Sequence, residues 1–144
     1  MELEDESTEV TFPDGGCFGC SASNPVGLHL RFQRRGDAVH CRYTIPEAYH
    51  GAPGIAHGGI IATIVDEVSC ATAALAGGSY VVTGELTVRY LRPCAVGVPL
   101  EAKASVTGRH ARYLIIEAEV RCDGELVARS TGRFFPQARS ESAP

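Results

Sequence analysis

The stretch His57-Gly-Gly-Ile-Ile-Ala-Thr-Ile-Val-Asp66-Glu-Val-Ser-Cys70-Ala-Thr-Ala-Ala-Leu-Ala-Gly77-Gly78 carries the one good helix pattern of the chain. Ile60, Ile61, Ile64, Val65, Val68 and Leu75 recur at helical spacing, and Gly77-Gly78 supplies the stop. Between Ile60 and Ala76 only Asp66 and Glu67 are charged. The face holding Asp66 is lined by Ala62, Thr63, Ser69 and Cys70, with Gly59 and Ala73 a further turn away. A surface helix would place long charged side chains there. Small residues instead let another backbone or a slender ligand approach. Asp66 has no oppositely charged neighbour at helical spacing, so a raised pKa and a general-base role are one reading of it. The solvated edge of a half-buried helix is the other, and spacing alone does not separate them. Glu67 points about 100° away around the helix and reads as structural, meeting an arginine of the sheet.

Working outward, the flanking segments read as strands. Leu28 to Phe32 alternates, Arg35-Gly36-Asp37 turns the chain, and Ala38 to Ile45 alternates again, which predicts a hairpin. Pro46 to Ala56 carries Gly51, Pro53 and Gly54 and reads as a loop. After the helix come four strands: Tyr80 to Leu91, Leu100 to Thr107, Arg112 to Cys122 and Glu125 to Phe135. Asp123-Gly124 marks a tight hairpin between the last two. One long helix followed by an antiparallel run predicts an α+β fold with a curved sheet wrapped around the helix.

The chain has 144 residues, enough for one domain. With 44% hydrophobic and 21% charged residues it can form a core. Residues 11–136 are expected to form the domain, 1–10 an unordered acidic segment and 137–144 a flexible tail. The formal charge of −4 is concentrated at the start, where Glu2, Glu4, Asp5, Glu6 and Glu9 have no basic neighbour. From Val10 to Phe135 there are 11 acids and 12 bases, and no dense basic cluster suggests a nucleic-acid partner. Asp66 and Glu67 interrupt the longest apolar run, so no membrane association is expected. The acidic start is unlike a targeting peptide, and cytoplasmic localisation is expected. Cys17 and Cys20 form a C-x-x-C, but the second close ligand pair typical of zinc sites is missing. No metal is expected, and the six cysteines read as reduced thiols.

Gly58 and Gly59 occupy the first helical turn, where N–H groups lack intrahelical partners. A carbonyl oxygen gaining negative charge could be held there by those donors and the helix dipole. A plain tight entry turn explains the pair equally well. His57 reads as substrate-orienting or as a helix cap.

The segment His57-Gly-Gly-Ile-Ile-Ala-Thr-Ile-Val-Asp66 resembles the HGG-x6-D segment of the hotdog-fold acyl-CoA thioesterases, in the PaaI-like subgroup. Val82-Thr83-Gly-Glu-Leu-Thr-Val-Arg-Tyr-Leu-Arg-Pro93 resembles the strand after the helix in that family. Cys17-Phe-Gly-Cys20 with Asn24-Pro-Val-Gly-Leu-His-Leu-Arg-Phe32 resembles a subset of its members. The resemblance spans about Cys17 to Phe135. It implies a hotdog fold that hydrolyses an acyl-CoA to a free acid and CoA. Asp66 would be base or nucleophile, Gly58 and Gly59 would polarise the carbonyl, and Thr83 would help hold the water. Coenzyme A would be part of the substrate and no cofactor would be needed. The resemblance further implies a homodimer or a pair of dimers, with Asp and glycine turn meeting across the interface. Where many relatives carry Asn or Gln in the loop before HGG, this chain has His50 and Gly51, so His50 is a substitute or a solvent-facing loop residue. Arg89, Arg109, Arg112 and Arg133 are candidates for the phosphates of coenzyme A. Rival readings are a hotdog enoyl-CoA hydratase or dehydratase, a non-catalytic acyl-CoA binder, and a structural oligomer without chemistry.

Overall fold

Alternation in the later strands sets the architecture. In the computed structural model, which describes residues 6–78 and 80–137, β6 (Leu114–Cys122) buries Leu114, Ile116, Ala118 and Val120 and exposes Glu117 and Arg121. Its neighbours are β5 (Pro99–Arg109) and β7 (Glu125–Pro136). The other strands are β1 (Thr8–Val10), β2 (Phe32–Arg35), β3 (Ala38–Thr44) and β4 (Val81–Tyr90). Together they form one seven-stranded sheet in the order β1-β2-β3-β5-β6-β7-β4, antiparallel throughout. Asp123 and Gly124 both have positive φ (52° and 76°), the two-residue turn that their sequence predicts between β6 and β7.

The helix α1 (Gly58–Gly77) packs on the inner face of this sheet, touching β3 to β7. The sheet makes room for it with small side chains. Across the middle, Val39, Ala104, Ala118, Ser130 and Val88 stand in register, and Gly132 lies opposite Ile116 and Leu86. Ile64, Val65 and Val68 of α1 fill the resulting depth and are wholly buried. Each such side chain contributes about 1.5–3 kcal/mol relative to exposure. Gly78 ends the helix in the left-handed conformation (φ 72°), its N–H bonded to the Ala74 carbonyl at 2.8 Å. By length and apolar composition α1 would also suit a membrane span, but its apolar face is covered by the sheet. The result is the hotdog fold, an antiparallel sheet around one long helix.

Three expectations are corrected. Leu28 to Arg31 is not part of a strand. His29 takes a positive φ of 59°, and the N–H groups of Leu28 and Leu30 bond the carbonyls of Phe18 and Gly19 at 2.9 Å each. Those amides therefore serve the Cys17–Ser21 turn, and β2 begins only at Phe32. The acidic start is not wholly unordered either. Thr8–Val10 pairs with β2, and Glu9 meets Arg31 at 3.1 Å. Gln137, expected in the tail, donates its N–H to the Tyr80 carbonyl at 2.8 Å. The expectations for residues 1–5 and 138–144 concern segments outside the described residues.

Phe134 of β7 is completely buried. Phe134→Ala is expected to cost about 3–5 kcal/mol of unfolding free energy, measured as a lower denaturant midpoint at unchanged slope.

Candidate active site

The two charges of α1 meet different surroundings. Asp66, half-buried, faces β4, where the Thr83 hydroxyl donates to its Oδ1 at 2.7 Å. Burial pushes the Asp66 carboxyl above its ordinary value of 3.8, and the Thr83 hydrogen bond opposes that shift only in part. The Cys70 sulfur lies 3.3 Å from the same hydroxyl oxygen. Because the threonine proton is directed to Asp66, the Cys70 thiol is the donor in that contact. A three-member chain, Cys70 to Thr83 to Asp66, thus fixes the carboxylate. Thr83 owes its place to β4. Its partner across the ladder is Phe134, and a bulge follows at Gly84, where a Cβ would collide with the Phe135 ring.

Glu67 meets no arginine among the described residues. Its carboxylate lies against the Cys17–Cys20 turn, with the Cys17 sulfur 3.6 Å from both oxygens. Burial and then the neighbouring Asp66 charge push it above its ordinary value.

At the helix start His57 is the cap: its Nδ1 accepts the Gly59 N–H at 2.9 Å. This engages Gly59. The N–H groups of Ile60 and Ile61 both bond the His57 carbonyl. Gly58 keeps its N–H without a partner among the described residues. The Tyr90 hydroxyl donates to the Gly58 carbonyl at 2.6 Å, holding the turn to the end of β4. No acidic side chain occupies the first turn, so the positive end of the helix dipole is uncompensated. A cleft of about 320 Å³ opens beside Gly58, lined by Ile55, Ile61, Tyr90, Leu91 and Val127. Gly58 lies eight residues from Asp66, which is about 12 Å along one helix axis. One chain therefore does not bring its own glycine turn and carboxylate to the same atom.

His50 is exposed in the loop, its backbone bridged to Ala56. Arg109 and Arg112 border a cleft of about 570 Å³ near the far end of α1, together with His110, Tyr113 and Phe135. The Arg133 guanidinium sits 5.3 Å above the Tyr113 ring. Arg89 stands opposite Arg129 on the β4–β7 ladder and does not join them. Tyr90, the clamp on the helix start, has no signature in the sequence pattern, and Cys70 stands out there only as a small residue. Tyr90 falls in the segment Val82 to Pro93 that carries the family resemblance, but its bond to Gly58 has no local signal.

Residues 53–128 match the family model described as Thioesterase superfamily. That is more than half of the chain, and the chain belongs to this superfamily. Membership supports thioester hydrolysis as the general chemistry. A solved thioesterase superfamily protein is 25% identical with a TM-score of 0.75; the match covers 85% of this chain and 60% of that one. This chain thus spans three-fifths of that neighbour's length. A thioesterase superfamily protein from Shewanella loihica PV-4 is 27% identical, with a TM-score of 0.65 and coverage of 76% and 91%. A phenylacetic acid degradation-related protein of Ralstonia eutropha JMP134 shares the fold at 23% identity, with a TM-score of 0.68 and coverage of 75% and 85%. No curated protein matches the sequence.

Thr83→Val removes the one hydrogen bond that favours ionised Asp66. It is expected to raise the Asp66 pKa further, which a carboxyl-carbon NMR titration of wild type and variant would measure.

Proposed function

We propose that the protein hydrolyses acyl-CoA thioesters to free acid and coenzyme A, working as a homodimer. The observation that carries this reading is the half-buried Asp66 held by Thr83. A desolvated carboxylate with one fixed donor is basic enough to take a proton from water, or to attack the thioester carbon itself. The Gly58 N–H is the donor suited to the developing oxyanion, and one such donor is worth roughly 3 kcal/mol in the transition state. The proton removed from water is then available on Asp66 for the departing sulfur. The apolar cleft beside Gly58 offers room for an acyl group.

The 12 Å separation, estimated from helix rise, argues for two chains. Among the described residues, edge strand β4 pairs only with β7 and leaves its outer rim free. Val82 and Tyr90 on it, and Tyr80 and Leu91 beside it, are exposed. A two-fold pairing at this rim would cover them and set each Asp66 near a second copy's helix start. The cleft with Arg109, Arg112, the His110 and Tyr113 rings and the nearby Arg133 has the cationic and aromatic character suited to a nucleotide with phosphates. All six cysteines are free, which suits a reducing compartment such as the cytoplasm.

Asp66→Ala is expected to reduce thiol release from short-chain, long-chain and aromatic acyl-CoAs by at least roughly a hundredfold with the fold retained. Unchanged turnover in the folded variant would end the proposal, and a hydrated product without free thiol would point to a hydratase. Because Asp66 must be ionised to act, and burial raises its pKa, kcat/KM should fall on the acid side at a pH above the ordinary 3.8. Sedimentation should give a dimer or tetramer for wild type, and Val82→Asp should shift it toward monomer.

A further inference from the structure

The C-x-x-C turn and Glu67 come together although 46 residues lie between Cys20 and Glu67 in sequence. One ligand atom from each of Cys17, Cys20 and Glu67 lies within 4.8 Å of the others. We infer that these three residues bind a soft divalent cation, Zn²⁺, beside the candidate catalytic helix segment.

Four observations carry this inference. The first is spacing. Tetrahedral zinc with a sulfur at about 2.3 Å and a carboxylate oxygen at about 2.1 Å separates the two ligand atoms by about 3.6 Å. The Cys17 sulfur stands 3.6 Å from each Glu67 oxygen. The second is charge. Glu67 has no ion-pair partner among the described residues, although it is half-buried next to Asp66. A carboxylate in that setting lacks a counter-charge, and a cation shared with two thiolates provides one.

The third is the turn itself. Gly19 is buried and packs on the Glu67 side chain so closely that a Cβ there would run into Cγ and Cδ. The turn also has a hydrogen-bond framework of its own. Asp14 accepts from the Gly16 N–H at 3.0 Å, from the Ser23 hydroxyl at 3.0 Å and from the Ser21 hydroxyl. Leu28 and Leu30 brace the carbonyls of Phe18 and Gly19. Ligands carried on such a braced turn need little ordering to bind. The fourth is access. A cleft of about 580 Å³, bordered by Phe12, Asp14, Cys17, Cys20, His29 and Phe32, leads to the sulfurs.

Thiolate donors select zinc over magnesium or calcium. Binding releases the two thiol protons to solvent, so affinity should weaken as pH falls. No fourth His, Cys, Asp or Glu ligand joins the cluster among the described residues, which leaves one position for water. The ion would tie the N-terminal turn to α1 one residue from Asp66.

The test uses the full chain, stripped with a chelator and held under a phosphine reductant. Zn²⁺ uptake is measured by elemental analysis, and Co²⁺ serves as a spectroscopic probe. One ion per chain is expected, with thiolate-to-cobalt charge-transfer absorption. Affinity should drop at least roughly tenfold in Cys17→Ser, Cys20→Ser and Glu67→Gln, with folding checked by circular dichroism. Cys94→Ser, at a cysteine elsewhere in the fold, should bind like wild type. Metal uptake is read without any substrate, which separates this site from the hydrolytic reading. Uptake by wild type no greater than by the Cys17→Ser/Cys20→Ser double variant overturns the inference. So does loss of binding in Cys94→Ser alone.

Discussion

A helix of twenty residues with only two charged side chains has to bury its branched apolar face, and most of the molecule follows from that requirement. The sheet meets it by curving and by thinning its inner face to alanine, serine and glycine, so that the branched side chains of α1 sink into it. Interiors pack at crystal-like density, so such a fit leaves little freedom to shift the helix. Asp66 and Glu67 lie where that cover gives way to other partners. Neither is met by arginine or lysine among the described residues. A hydroxyl on β4 takes the first, and the thiols of the N-terminal turn take the second.

This choice of partners has an electrostatic result. A guanidinium beside Asp66 would favour its ionised form strongly and weaken it as a base. A neutral hydroxyl orients the carboxylate with a smaller effect of that kind, and burial prevails. The cysteine behind Thr83 adds orientation without charge, because burial pushes its thiol up to about 12. The β4 hydroxyl thus fixes the direction of the carboxylate and tempers its basicity, while burial raises it.

Much of the fold was legible because its signals are periodic or local. The 3.6-residue recurrence of Ile60, Ile61, Ile64, Val65 and Val68 announced the helix, and Asp123-Gly124 announced its hairpin through the backbone conformation those residues favour. Leu28 to Phe32 misled because alternation there arises from two leucines buried under a turn. Their amides bond that turn, and His29 breaks the extended backbone. For the candidate site, the helix pattern brought Asp66 forward, while Thr83 entered through the family resemblance. The surroundings of Glu67 were hidden, since its partners come from a turn about fifty residues earlier. The engagement of Gly59 was hidden too, because a histidine before two glycines can face either way. Only the folded turn shows its ring bent back onto the backbone.

That bent-back ring has a protonic consequence. An Nδ1 that accepts from an amide carries no hydrogen, so neutral His57 is fixed as the Nε2–H tautomer. Its remaining N–H belongs to an exposed side chain one residue before the unpartnered amide of Gly58. The entrance of the helix therefore offers an imidazole hydrogen as well as a peptide hydrogen to an incoming electron-rich atom.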